Sequence, residues 1–217
     1  MIKAAASNQP VHIASGKARL AGTLELPSDP QGLVLFPHRS GSGRLSPRNN
    51  YVAGELRRAG LGTLLLDLLS RDEGSDDRHR FDLALLSLRL GDAARWLARQ
   101  PETKEFALGL FGASTGAAAA LQLAADRPEQ VAAVVSRGGR PDLAGSDELA
   151  RVRAPTLLIV GGEDHALVKL NRQALRDLSC EKELVVVRGA THQFEEPGAL
   201  KEVASLAARW FKGYLGA

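Results

Sequence analysis

The sequence predicts an α/β fold, a mostly parallel twisted sheet of about seven to eight strands with helices on both faces. Two observations carry this expectation. Six short runs are apolar throughout: Leu33 to Phe36, Thr63 to Leu66, Ala107 to Phe111, Val131 to Val135, Thr156 to Val160 and Leu184 to Val187. Uninterrupted apolarity marks strands buried on both sides, as crossover helices bury a parallel sheet. Stretches with helical periodicity fill the intervals between these runs.

In chain order, Leu20, Leu24 and Leu26 alternate with Arg19, Thr23 and Glu25, the pattern of a half-buried antiparallel strand near a sheet edge. Ser46-Pro47 supplies an N-cap and a proline at the first helical position, opening a helix that ends near Gly60. Phe81 to Arg99 is helical, with Leu85, Leu86, Leu88 and Trp96 offering apolar faces. Ser114 to Arg127 is rich in alanine, which suits a helix packed closely on a sheet. Leu200, Val203, Ala207, Trp210, Phe211 and Tyr214 form the amphipathic stripe of a last helix. The segment from Ser136 to Pro155 is too short for a helical cap domain. No linker, repeat or abrupt change of composition divides the chain, so residues 1–217 are read as one domain.

Hydrophobic residues make up 44% of the chain and charged residues 24%, which excludes a disordered chain. The net charge of +3 comes from a small scattered excess of arginine, so no nucleic-acid surface is expected. A single cysteine, Cys180, excludes an internal disulfide and a cysteine-rich metal site. Met1 to Gly22 lacks the apolar core of a signal peptide, and no apolar run approaches the ~20 residues of a membrane span. A cytoplasmic protein without membrane contact is expected.

The segment Gly112-Ala113-Ser114-Thr115-Gly116 is G-x-S-x-G, lying after an apolar strand and before a helix. In that setting a sharp turn lifts the serine hydroxyl above the sheet, beside the free N–H groups of a helix N-terminus. A hydroxyl needs a base to attack a carbonyl at neutral pH, and the base needs an orienting acid. The strand Thr156 to Val160 runs into Gly161-Gly162-Glu163-Asp164-His165, and catalytic groups collect at such C-terminal strand ends. Asp164 is preferred over Glu163 as the acid. The strand Leu184 to Val187 leads to Thr191-His192-Gln193, which makes His192 the base, with His165 as its rival. Ser, Asp, His is the chain order this architecture uses.

An acyl-transfer intermediate needs two oxyanion donors. The backbone N–H of Thr115 is one candidate, and that of Arg39, in the loop Pro37-His38-Arg39-Ser40-Gly41, is the other. Arg137 and Arg140 follow the strand Val131 to Val135. Together with Arg39 they are candidates for gripping a substrate carboxylate or phosphate, the alternative being that they pair with Asp142, Asp147 or Asp72 to Asp77. His38 is a loop residue that also stands among the candidate substrate contacts. The acidic segment Asp72-Glu73-Gly74-Ser75-Asp76-Asp77 reads as a solvated, mobile turn, not a metal site.

The segments Gly112 to Ala119, Pro155 to Asp164 and Thr191-His192-Gln193-Phe194-Glu195-Glu196-Pro197-Gly198 resemble the dienelactone hydrolase-like branch of the α/β-hydrolase superfamily. The likeness runs from Gly16 to the last helix. It implies the α/β-hydrolase fold and small serine hydrolases that are sometimes fused to a phosphoribosyltransferase domain, for which this chain has no room. Two departures stand out. Dienelactone hydrolase itself uses a cysteine nucleophile, whereas the elbow here carries Ser114, so its lactone is not carried over. The family's oxyanion loop usually reads His-Gly, and here it is His38-Arg39. The expected chemistry is hydrolysis of a small carboxylic ester, thioester or lactone through acyl-Ser114, without cofactor or metal. Acyl transfer through the same intermediate is the alternative, and a non-catalytic binding protein on this scaffold is the third reading.

Overall fold

A computed structural model describes residues 7–38 and 43–216. The strands are β1 (Ser7–Ser15), β2 (Ala18–Leu26), β3 (Leu33–His38), β4 (Gly62–Asp67), β5 (Leu108–Ala113), β6 (Ala133–Arg137), β7 (Thr156–Gly161) and β8 (Lys182–Val187). They form one sheet in the order β1-β2-β4-β3-β5-β6-β7-β8. From β4 to β8 the neighbours are parallel, while β1 and β2 join antiparallel at one side. The helices are α1 (Pro47–Arg58), α2 (Arg71–Gly74), α3 (Asp77–Arg80), α4 (Leu83–Leu97), α5 (Thr115–Asp126), α6 (Ser146–Arg151), α7 (His165–Asp177) and α8 (Ala199–Leu215).

Side chains alternate across each central strand, and both faces are covered. Val34, Phe36, Phe111, Val135 and Ile159 pack against Val52 and Leu56 of α1 and Val203, Ala207 and Phe211 of α8. Leu35, Leu64, Leu110, Val134 and Leu158 pack against Leu86 and Leu90 of α4 and the alanines of α5. This two-sided burial is why the strands read as unbroken apolar runs. Short alanine side chains let α5 lie close to the sheet, and Gly109 leaves space for the Phe211 ring, which a Cβ there would meet at 2.6 Å. All the parallel strands deliver their C-terminal ends to one edge, where loops gather. Between β6 and β7 that edge carries only a 3-10 turn, Pro141–Ala144, and α6, so no cap is inserted there.

Three segments differ from their expected form. The edge strand is β1, in which only Val11 and Ile13 supply an apolar alternation after the polar run Ser7 to Pro10. It pairs with β2 along its whole length through a two-residue turn at Gly16, φ +56°, and Pro10 is tolerated because an edge strand has a free side. At the other edge β8 is half exposed, with Val186 open to solvent, because only α7 and α8 reach it. The acidic segment is not a loose turn. Ser70 and Glu73 form a capping box at α2, and Glu73 makes a two-point ion pair with buried Arg89 of α4 at 2.7 and 2.8 Å. Arg89 also donates to the Leu68 carbonyl at 2.7 Å, so it ties the segment after β4 to the helix layer. No helix among the described residues is long and apolar enough to cross a membrane.

The hydrogen bonds from Arg89 are the main reason the Glu73 carboxyl sits at about 2, below its ordinary 4.5. A depressed folded value means that this stabilisation is complete above the unfolded value and is lost as pH falls from about 4.5 towards 2. Arg89→Met should lower unfolding free energy at neutral pH by about 1–2 kcal/mol, since Glu73 is partly exposed and screened. Urea denaturation should show that difference shrinking across the same acid window.

Candidate active site

β5 ends at Ala113 and α5 begins at Thr115, so Ser114 alone makes the turn, at φ 52° and ψ −128°. A residue with a Cβ is strained there by about 1–3 kcal/mol. The neighbours hold the turn in place. A Cβ on Gly112 would stand 2.4 Å from the Ala117 Cα, and one on Gly116 would stand 2.9 Å from the Pro37 carbonyl oxygen. The Ser114 carbonyl accepts from the N–H groups of Ala117 at 3.2 Å and Arg140 at 3.1 Å. Thr115 is the first residue of α5, so its N–H has no acceptor within the helix.

Asp164 follows β7 and caps α7. Its Oδ1 accepts from the Leu167 N–H at 3.1 Å, and its Oδ2 lies 3.2 Å from His192 Nδ1. Glu163 is exposed and contributes its backbone, the N–H donating to the Ala190 carbonyl at 3.0 Å. His165 is exposed at the first position of α7 and borders a groove with Lys169, Arg172 and Val186. The imidazole beside the Asp164 carboxylate is that of His192. Gly161 makes room for the histidine loop, since a Cβ there would come within 2.4 Å of the Thr191 carbonyl oxygen.

The segment Gly138-Gly139-Arg140 joins the two halves of the site. Gly138, at φ +50°, lies against His192 and Phe194, which its Cβ would meet at 3.5 and 3.4 Å. Gly139 lies against Ala117, and the Arg140 N–H binds the Ser114 carbonyl. Buried Asn171 locks this segment, donating through Nδ2 to the Gly139 carbonyl at 3.1 Å. Phe194 holds the loop from the other side. Its ring is buried although its backbone takes φ 54°, an unfavourable value for a bulky residue. Ser114 and His192 thus each touch the Gly138–Arg140 segment at the C-terminal edge of the sheet, and Asp164 reaches it through His192.

On the other flank, the expected oxyanion donor Arg39 lies outside the described residues. The residues on either side of 39–42 are well fixed. The His38 carbonyl accepts from Leu68 N–H at 2.7 Å, and His38 Nδ1 lies 3.1 Å from Asn49 Nδ2 of α1. Arg44 N–H donates to buried Asp67 Oδ1 at 2.9 Å, and its guanidinium lies 3.2 Å from Oδ2. Burial pushes the Asp67 carboxyl up, and its bonds to Arg44 act against that. His38 is held down to about 3 by burial, with a lesser contribution from the charge of Arg137.

The two arginines after β6 separate. Arg140 makes a two-point pair with Asp142 at 2.7 and 2.8 Å. Arg137 has buried Nε and Nη1 atoms without a hydrogen-bond partner, and its guanidinium carbon lies 6.0 Å from the centre of the Phe194 ring. Asn49, Asp67, Asn171 and Phe194 escaped the sequence reading. Asp67 could have been found, as an acid closing an apolar strand at the edge where functional groups collect. Asn49 also left a trace, a polar residue on the face of α1 that buries Val52, Ala53 and Leu56.

Residues 22–214 match the sequence model of the dienelactone hydrolase family. A Mycobacterium tuberculosis protein named as a phosphoribosyl transferase is 52% identical over 208 residues, which cover 96% of this chain and 47% of that protein. The chain therefore spans about half the length of the curated relatives it matches. The crystal structure of a dienelactone hydrolase from Anabaena variabilis is 52% identical, superposes with a TM-score of 0.92, and covers 97% of this chain and 99% of its own. Est1E from Butyrivibrio proteoclasticus shares the fold at 14% identity, with a TM-score of 0.80 over 94% of this chain and 98% of its own.

Because the elbow stores backbone strain, Ser114→Gly should be more stable than Ser114→Ala by about 1–2 kcal/mol in urea unfolding. Gly112→Ala should be destabilised by about 1–3 kcal/mol, because its methyl meets backbone that cannot swing aside. Equal stability of the two Ser114 variants would mean that the turn carries no strain.

Proposed function

Because the chain belongs to the dienelactone hydrolase family, we propose that it cleaves a small carboxylic ester, thioester or lactone through an acyl-enzyme on Ser114. The observation that carries this reading is the pairing of a serine at a strained strand-helix turn with an imidazole held 3.2 Å from a carboxylate. The Anabaena protein, similar over nearly its whole length, carries the name of a dienelactone hydrolase and supports an ester-type bond as the target.

In this mechanism His192 Nε2 takes the Ser114 hydroxyl proton as Oγ attacks the carbonyl carbon. Asp164 Oδ2 accepts from Nδ1–H, keeping the imidazole in the tautomer that presents Nε2 as a base and stabilising the imidazolium that forms. The carbonyl electrons move onto oxygen, where the Thr115 N–H and the Arg39 N–H are the donors we assign. Collapse of the intermediate expels the leaving group, which takes the proton from His192. Water then attacks acyl-Ser114 with His192 again as base, releasing the acid and restoring the serine. The substrate binds without cofactor or metal in this scheme, and residues 1–217 act as one catalytic domain. The sole cysteine, half-buried Cys180, stands near the start of β8, its thiol pushed up by burial, and takes no part; a lone thiol suits a reducing cytoplasm.

A fluorophosphonate probe should label wild-type protein at Ser114, and Ser114→Ala should lose both labelling and ester turnover. Persistent labelling of Ser114→Ala would remove the serine from the mechanism. Asp164→Asn should keep its helix cap through the side-chain oxygen and lower kcat by about 10⁴-fold, as expected when the imidazole tautomer is wrong. His192→Ala should abolish ester turnover, while His165→Ala should leave it in place.

A further inference from the structure

Val34, Phe36 and His38 on β3, Phe111 and Ala113 on β5, and Val135 and Arg137 on β6 alternate to the same face of the sheet, the one covered by α1 and α8. At the catalytic edge that row ends in His38, Ala113 and Arg137, with Ala113 directly beside Arg137 in register. The middle position carries only a methyl group, so the two long polar side chains stand on either side of the residue that precedes the nucleophile. Both present unused donors. Nε and Nη1 of Arg137 are buried without a hydrogen-bond partner, and so is Nε2 of His38.

Asn49 determines what that histidine offers. With Asn49 Nδ2 donating to Nδ1, the neutral ring carries its proton on Nε2, which becomes a donor aimed at no acceptor. Arg48 of α1 adds positive charge from above. It bears on Arg137 electrostatically, and its own partner, Glu195, is an exposed carboxylate at 2.6 Å. Burial is the chief reason the Arg137 guanidinium falls to about 10, with Arg48 adding to it, yet the group remains charged at neutral pH. A guanidinium with two buried, unpartnered nitrogens and no carboxylate partner among the described residues is unfavourable unless a ligand completes it.

We propose that Arg137 and His38 form a subsite for a small oxyanion, a carboxylate or phosphate, one residue away from Ser114. Arg137 offers a planar fork to two oxygens of the anion, and His38 Nε2–H adds a neutral donor from the opposite side. Where the anion is carried by the substrate, this inference rests on the ester-cleaving reading of Ser114 and makes the preferred ester an anionic one. Arg140, engaged by Asp142, takes no part.

The test compares p-nitrophenyl butyrate with its ω-carboxylate analogue, p-nitrophenyl hemiglutarate, in wild type, Arg137→Met and Arg137→Lys. Wild type should favour the anionic ester by about tenfold to a hundredfold in kcat/KM. That ratio should collapse in Arg137→Met and shrink in Arg137→Lys, which keeps the charge and loses the fork. In parallel, thermal unfolding is followed in phosphate, acetate and chloride at matched ionic strength. Phosphate or acetate should raise the Tm of wild type and leave that of Arg137→Met unmoved. Equal use of the two esters, with anion-dependent Tm retained, would assign the subsite to a free anion. Equal use together with no Tm response overturns the proposal, as does either response persisting unchanged in both variants. If no ester is turned over, the hydrolase reading fails, and the Tm measurement still decides the anion site.

Discussion

Ser114 must hold a backbone conformation that an L-residue avoids, and the sequence around it is arranged to make that conformation the least bad one available. Two absent side chains do most of this. With no Cβ at 112, the first turn of α5 closes onto the end of β5. With no Cβ at 116, that same turn rests against the carbonyl of Pro37 on the neighbouring strand. The alanine run then keeps the helix at that distance for its full length. A bulkier residue anywhere in this contact would push the helix outward, and the turn would relax towards ordinary φ values. The hydroxyl, the free N–H of Thr115 and the Gly138–Arg140 segment would then no longer share one geometry.

The electrostatics of that edge follow from what surrounds the turn. Asp164 has both of its oxygens engaged, Asp67 is engaged by Arg44, and Asp142 by Arg140. Beside these pairs stand donors without a partner: the N-terminus of α5, Nε2 of His38, and Nε and Nη1 of Arg137. A carbonyl oxygen gaining negative charge would enter a setting already polarised to receive it, with little reorganisation at the moment of reaction.

The features legible in the sequence are those whose cause is local or periodic. The elbow is five consecutive residues between a strand and a helix, and Asp164 and His192 each sit just past an apolar run. The central strands announce their two-sided burial in the same way, and the resemblance drawn from these segments is to the family to which the chain belongs. Interactions made through space left no such trace. Glu73 finds Arg89 across 16 residues, and Asn171 finds the Gly139 carbonyl across 32. Nothing in either neighbourhood announces the other. The strand β1 was hidden for a related reason: an edge strand needs little hydrophobicity, so its membership rests on the backbone ladder it makes with β2.

Asp164 closes the first turn of α7 with one oxygen and steadies His192 with the other. The carboxylate therefore keeps its rotamer whether or not the imidazole is in place, because the helix end holds it. The converse is less comfortable. Helix termini are the first parts of a helix to fray, opening and closing far more often than the sheet beneath them. In an enzyme working as proposed, each such opening would free the carboxylate to turn and leave the imidazole without its guide. Warming would then silence the protein by loosening a single helical turn, at temperatures where the eight strands and their two helical layers still stand.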